Sequence, residues 1–117
     1  MSTTIVESRT LHGTLKKLIL GKRTVAAHLS YDCRGDELHI YTVSTMRKFQ
    51  RMGFASRLLK SVIESHSDKK CIAKVLQGHS NEECMHLFIK FGFQIETYDD
   101  EVYMVKYADS KQALHVK

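Results

Sequence analysis

A chain of 117 residues holds about one domain, since single domains usually run to roughly 100–150 residues, so two independent cores are excluded. With 43% apolar and 26% charged residues and no proline, the composition is that of a chain that folds alone, and it excludes a disordered one. The net charge of +5 is uneven: residues 1–60 carry 11 basic and 4 acidic side chains and residues 61–117 carry 7 and 9, so the first half is the one suited to an anion.

Cys33, Cys71 and Cys84 are an odd number without metal-ligand spacing, which indicates neither a disulfide framework nor a metal site and fits a reducing compartment. The opening MSTTIVESRT lacks the basic and apolar regions of a signal peptide. No apolar run approaches the roughly 20 residues that span a bilayer. The expectation is one soluble, cytoplasmic domain over residues 1–117, with no membrane partner.

In chain order, LKKLILGKRTVAAHLSYD from Leu15 to Asp32 reads as two strands joined at Gly21 and Lys22, because glycine supplies the positive φ of a tight turn. Asp32 to Asp36 is a turn, and Glu37–Thr45 (ELHIYTVST), rich in β-branched and aromatic residues, is a third strand of central type. Ala55, Leu58, Leu59, Val62 and Ile63 then recur at helical spacing, which predicts an amphipathic helix. Cys71–Gln77 suits a buried strand. Ser80 and Glu83 have the spacing of a capping box, so a second helix starts there, and Gly92 is placed to end it. Phe93–Tyr98 and Val102–Tyr107 flank the acidic turn Asp99, Asp100, Glu101 as a closing hairpin, with a frayed tail from Ala108. The expected order is β-β-β-α-β-α-β-β.

The chemistry concentrates in TMRKFQRMGFAS, Thr45 to Ser56, which leads from a strand end into the longer helix. A small-residue turn at a helix N-terminus leaves backbone N–H groups pointing outward at the positive end of the macrodipole, where phosphate is the natural guest. Gly53 admits a close backbone approach, Ala55 keeps the next position small, and Arg47, Lys48 and Arg51 supply cations. Neither the G-K-[ST] of a Walker loop nor G-x-G-x-x-G is present. Taken alone, Q-x-x-G-x-A reads equally well as a helix start on a solvated basic face.

Read together, the two helices resemble a family. Val43–Leu59 (VSTMRKFQRMGFASRLL) looks like motif A of the GCN5-related N-acetyltransferase (GNAT) superfamily, whose signature is Q/R-x-x-G-x-G/A after a strand. Asn81–Phe93 (NEECMHLFIKFGF) looks like its motif B, and the two are separated as in that family. The resemblance implies an α/β (α+β) fold with a mixed, mostly antiparallel sheet splayed open beside the fourth strand, here Glu37–Thr45. The chain has no room for the helices that commonly lie between the first two strands, so the acceptor wall is either reduced or supplied by a second subunit, a homodimer.

The resemblance also implies acetyl-coenzyme A as cofactor and, as acceptor, a primary amine on a protein lysine, a protein N-terminus, a polyamine or a small metabolite. Val43, Ser44 and Thr45 would pair with the pantetheine. Gln50, Arg51, Met52, Gly53, Phe54, Ala55 and Ser56 would hold the pyrophosphate, and Asn81 would touch the pantetheine arm. The motif B tyrosine that usually donates a proton falls on Phe88, and a glutamate some members carry on the fifth strand falls on Leu76. The catalytic expectation moves to His39, at a position where histone-acetyltransferase-like members carry a basic glutamate. Strict alternation puts Glu37, His39, Tyr41, Val43 and Thr45 on one face, so His39 should share the cleft with Thr45. Tyr41, Tyr98, Tyr103, Ser44 and Cys84 are the candidates for protonating the thiolate.

Other features read first as structure. Cys84, Phe88 and Phe91 fit a helix core, Met46 and Met52 fit packing as well as a cleft, His79 fits a solvated loop, and the acidic turn fits a plain turn more than a guide for a cationic acceptor. The leading reading is an N-acetyltransferase. The alternative is an acyl-CoA-binding regulatory protein of the same fold with little turnover. A nucleic-acid-binding module ranks last, because no aromatics interleave with the basic residues.

Overall fold

The computed structural model describes residues 2–76, 82–98 and 101–108. Seven strands form one sheet in the order β1-β2-β3-β4-β5-β7-β6, built from β1 (Thr3–Thr10), β2 (Gly13–Leu20), β3 (Thr24–Arg34), β4 (Glu37–Thr45), β5 (Lys70–Leu76), β6 (Gln94–Tyr98) and β7 (Glu101–Lys106). Helix α1 (Phe54–Ser65) crosses from β4 to β5, and α2 (Glu82–Lys90) from β5 to β6. Every pairing is antiparallel except β4 with β5. A parallel neighbour pair needs such a crossover helix.

The sequence pattern assigns no element to Thr3–Thr10, and here the structure adds a strand. β1 is an edge strand, exposed along nearly its whole length. It has no buried face to impose the period-2 pattern by which the other strands are read. A two-residue connection, Leu11 and His12, turns it straight into β2. Gly13 follows with φ +138°, and a Cβ there would run into the carbonyl oxygen of Tyr31. This short hairpin occupies the place where the family resemblance puts helices.

One sheet face carries the core. On it lie Leu18, Ala27, Leu29, Leu38, Ile40, Ala73, Val102 and Met104, all buried, together with Leu58, Leu59 and Val62 of α1 and Phe88 of α2. Of the α1 stripe predicted from periodicity, Leu58, Leu59, Val62 and Ile63 are buried, Ala55 is half-buried, and Phe54 joins the buried face. The end of α2 also follows its sequence signal. Phe93 N–H donates to Phe88 O and Gly92 N–H to Ile89 O, both at 3.0 Å, with Gly92 at φ +96° and the Phe88 and Phe93 rings 4.9 Å apart. That is the hydrogen-bond pair and apolar contact of a Schellman cap. Ser80, half of the expected capping box, lies outside the described residues, as do Asp99, Asp100 and the tail from residue 109.

The opposite face carries no helix among the described residues. Cross-strand partners put His28 and Ser44, Ser30 and Thr42, and Lys17 and His28 side by side on it, and Ser30 Oγ and Thr42 Oγ1 meet at 2.6 Å. No helix among the described residues is long and apolar enough to cross a membrane.

Alanine at Gly13 combines a left-handed backbone with a clash against main chain that cannot rotate away. Gly13→Ala is expected to lower unfolding free energy by about 2 kcal/mol or more in urea denaturation. An unchanged midpoint would mean that the hairpin is not held in this geometry.

Candidate active site

The site begins where two strands part. β4 pairs with β5 only from Glu37↔Lys70 to Ile40↔Ala73. Beyond that point β5 stays with β7 as far as Leu76, while β4 stays with β3 as far as Thr45. Among the described residues the β5-facing main chain of Thr42 to Thr45 is therefore left without a strand partner, and a gap opens within the sheet.

A bulge lies at the same place. Ser30 is opposite Thr42 but Tyr31 is opposite Ile40, so Tyr41 is the extra residue on β4. A bulge of this kind reverses the alternation beyond it. Val43 and Thr45 consequently share the helix-covered face with Leu38 and Ile40, whereas Glu37 and His39 lie on the other face. The expectation that His39 and Thr45 face one way is corrected by this one residue. His39 Nε2 meets Glu37 Oε1 at 3.0 Å instead.

At the open end of β4 the chain makes a 3-10 turn at Arg47–Phe49 and enters α1 through Gly53, the N-cap, at φ +80°. Arg51 also takes a positive φ, 67°, which is uncommon for a residue with a side chain. Gly53 supplies no capping side chain, and a Cβ there would meet nothing within 4 Å. The first intrahelical bond is Arg57 N–H to Gly53 O, 3.0 Å. The N–H groups of Phe54, Ala55 and Ser56 consequently have no acceptor among the described residues. Such a cluster of unpaired donors at the positive end of a helix favours an anion.

Two cavities lie at the gap and a third adjoins them on the helix-free face. The first, about 390 Å³, lies between the end of β4 and the two helices and is lined by Val43, Ser44, Thr45, Phe49, Gln50, Arg51, Gly53, Phe54, Ala55, Ser56, Glu83, Cys84 and Leu87. Its volume is in the usual range for small-molecule sites. The second, about 360 Å³, shares Val43, Ser44 and Cys84 with it and adds His28, Tyr41, Thr42, Lys74 and Phe88. The third, about 500 Å³, shares His28, Tyr41 and Thr42 with the second and opens on the helix-free face beside His12, Leu15 and Lys17. Their shared lining residues place them in succession from the α1 N-terminus to the helix-free face.

Of the residues singled out from the sequence, Val43, Ser44, Thr45, Gln50, Arg51, Gly53, Phe54, Ala55 and Ser56 come together on the first cavity. Met52 does not line it and is 58% exposed. Asn81 and His79 lie outside the described residues. Tyr41 borders the second and third cavities and accepts a hydrogen bond from Arg34 Nη2 at 2.8 Å. His39 borders none of the three. Phe49, Glu83 and Leu87 fall inside the two motif stretches without having been singled out for the site, and Lys74 and His28 lie outside both motifs and reach the site only through the sheet register.

The electrostatics are mixed. At the mouth of the first cavity Arg51 Nη2 stands 3.7 Å from Glu83 Oε1, both groups largely exposed, a pair that water screens heavily. A side-chain hydrogen bond donated to the Tyr103 oxygen, with the charges of Tyr103 and Glu101, holds the exposed Lys74 ammonium above its ordinary pKa. Burial pushes the Cys84 thiol up, so it keeps its proton through the neutral range.

A model of the FR47-like protein family matches residues 22–104, most of the chain and every lining residue of the first two cavities. The chain belongs to this FR47-like family, within the GNAT superfamily. None of the curated proteins compared with it by sequence matches. Solved structures share the FR47-like fold at low identity. The ribosomal-protein-S18-alanine N-acetyltransferase of Escherichia coli superimposes with a TM-score of 0.74 at 17% identity, over 86% of this chain and 72% of that one. An IAA acetyltransferase from Bacillus cereus gives 0.74 at 14%, over 90% and 99%. A GNAT family acetyltransferase from Elizabethkingia anophelis, solved with acetyl-CoA bound, gives 0.66 at 17%, over 81% and 76%.

The three thiols of this FR47-like chain should react in order of access and ionisation. With iodoacetamide at mildly alkaline pH, exposed Cys33 is expected to be alkylated first, Cys84 at least about tenfold more slowly because burial keeps it protonated, and buried Cys71 only on unfolding. Peptide mapping by mass spectrometry reads the order. Cys84 reacting first would show its thiol to be ionised rather than protonated.

Proposed function

We propose that the chain is an N-acetyltransferase that moves the acetyl group of acetyl-CoA to a primary amine. The observation that carries this reading is the uncapped start of α1 at the mouth of the parted strands, where a diphosphate finds unpaired N–H donors and a thioester arm finds unpaired strand backbone. Membership of the GNAT superfamily and the acetyl-CoA held by one structural neighbour support the choice of donor.

In this reading the N–H groups from Arg51 to Ser56 bind the diphosphate, with Arg51 adding a cation. The open edge of Val43, Ser44 and Thr45 aligns the arm, and Gln50 lines its path. Acetyl-CoA supplies an activated acyl carbon with a thiolate leaving group. Tyr41 is the phenol nearest in sequence to this edge and borders the same cavity as Val43 and Ser44. Its oxygen accepts from Arg34, so its own proton is free to be donated to the departing sulfur. The acceptor approaches through the third cavity, on the face that the short β1–β2 hairpin leaves uncovered.

A second reading, an acyl-CoA-binding regulator with little turnover, is favoured by one observation. Phe88 is 2% exposed and offers no hydroxyl where the motif B tyrosine would. Binding and thiol release separate the two. A ligand at a hundred times its Kd stabilises the folded state by about 2.7 kcal/mol. Acetyl-CoA at that ratio is therefore expected to raise Tm by several degrees, and Gly53→Glu, which sets a carboxylate among the N–H donors, to abolish the shift while leaving the circular dichroism spectrum intact. Release of free thiol with amines present marks the enzyme, and a Tm shift without release marks the regulator. No shift at millimolar acetyl-CoA would overturn both.

A further inference from the structure

We propose that His28 of β3 is the base that takes the proton from the acceptor amine. The inference rests on the N-acetyltransferase reading and extends it to a residue that neither helix motif contains.

Three observations converge on this side chain. First, His28 is the register partner of Ser44, part of the β4 edge that receives the thioester arm, so it stands one strand spacing, about 4.8 Å, from that backbone. Second, its ring borders both the second cavity, toward α2, and the third, toward the helix-free face, so both reacting partners would meet beside it. Third, its Nδ1 is buried without a hydrogen-bond partner. Neither ring nitrogen is bonded to any described residue, and in this proposal Nε2 is the one that meets the acceptor. Folded proteins rarely leave a buried polar nitrogen unpaired, and a catalytic role is one of the explanations for such an exception. His39, by contrast, has Glu37 as its partner and borders none of the three cavities.

The chemistry balances with His28 as proton carrier. With the neutral ring protonated on Nδ1, the Nε2 lone pair faces the amine. The amine nitrogen forms a bond to the thioester carbonyl carbon, the proton shed by that nitrogen goes to Nε2, and the carbon–sulfur bond breaks with its electron pair on sulfur. The thiolate is protonated by solvent, or by Tyr41, which then regains a proton from solvent, and the imidazolium returns its proton to solvent, which restores the site. Lys17, the partner of His28 on β2, together with His12, Lys74, Tyr41 and Cys84, are the other titratable groups lining the second and third cavities.

The test follows thiol release from acetyl-CoA with spermidine, a mixture of free amino acids and a synthetic peptide with a free N-terminus as three separate acceptors, alongside Tm shifts with acetyl-CoA. General-base catalysis contributes typically 10²–10⁴-fold. His28→Gln and His28→Ala are expected to lose at least about 10²-fold in kcat while keeping the acetyl-CoA Tm shift, and added imidazole to restore part of the rate to His28→Ala but not to His28→Gln. A purely structural role would not produce that rescue. Rates within twofold of wild type in both variants overturn the proposal, as does a loss confined to His39→Ala. A wild-type chain that binds acetyl-CoA but releases no thiol with any acceptor also overturns it. Absence of the Tm shift in wild type instead marks failure of the underlying reading.

Discussion

The structure depends on the point at which β4 stops pairing with β5. Up to Ile40 and Ala73 the two strands form an ordinary parallel ladder, and beyond it each keeps only its outer neighbour. Unpaired strand backbone inside a sheet is costly when dry, because each buried N–H or C=O without a partner forfeits about 1–3 kcal/mol. It is tolerable here because the gap is open to solvent as a cavity, and a ligand arm with amide groups of its own can complete the ladder. The core on the helix side holds the two halves together, with Leu38, Ile40 and Ala73 buried at the hinge of the opening and Phe88 packed from α2. The same parting sets the uncapped start of α1 at the mouth of the gap.

The sequence made much of this legible, for physical reasons that differ by element. The α1 stripe is readable because a half-buried helix must repeat its apolar residues at 3.6. The end of α2 is readable because only a residue tolerant of positive φ closes a Schellman cap, and Gly92 is that residue. The start of α1 is readable because Gly53 offers no capping side chain and basic residues precede it.

What stayed hidden was non-local. β1 is an exposed edge strand, and residues such as Thr3–Thr10 carry no buried face to betray it. The bulge at Tyr41 has no marker in ELHIYTVST, since a single inserted residue leaves composition unchanged while exchanging the two faces beyond it. That one residue separates His39 from Thr45. His28 was invisible for the same reason: its place beside Ser44 exists only in the β3–β4 register, sixteen residues away along the chain.

The compact hairpin between β1 and β2 shapes the other side of the molecule. Where longer connections would cover the sheet, Gly13 turns the chain back at once, and the face bearing Lys17, His28, Ser30 and Thr42 stays open. The sheet thus carries one opening framed by helices and main-chain donors and one framed by side chains. The first is fixed by backbone geometry, and the second by whichever residues the strands present.

The central claim is that main-chain groups of the parted β4 and of the α1 start hold coenzyme A. Titration of 15N-labelled chain with coenzyme A, followed amide by amide in two-dimensional NMR, tests it most directly. The account predicts that the largest shifts fall on residues 43–45 and 51–56, with residues of β1 unmoved. Saturable shifts confined to other surfaces, with those amides unchanged, would contradict it.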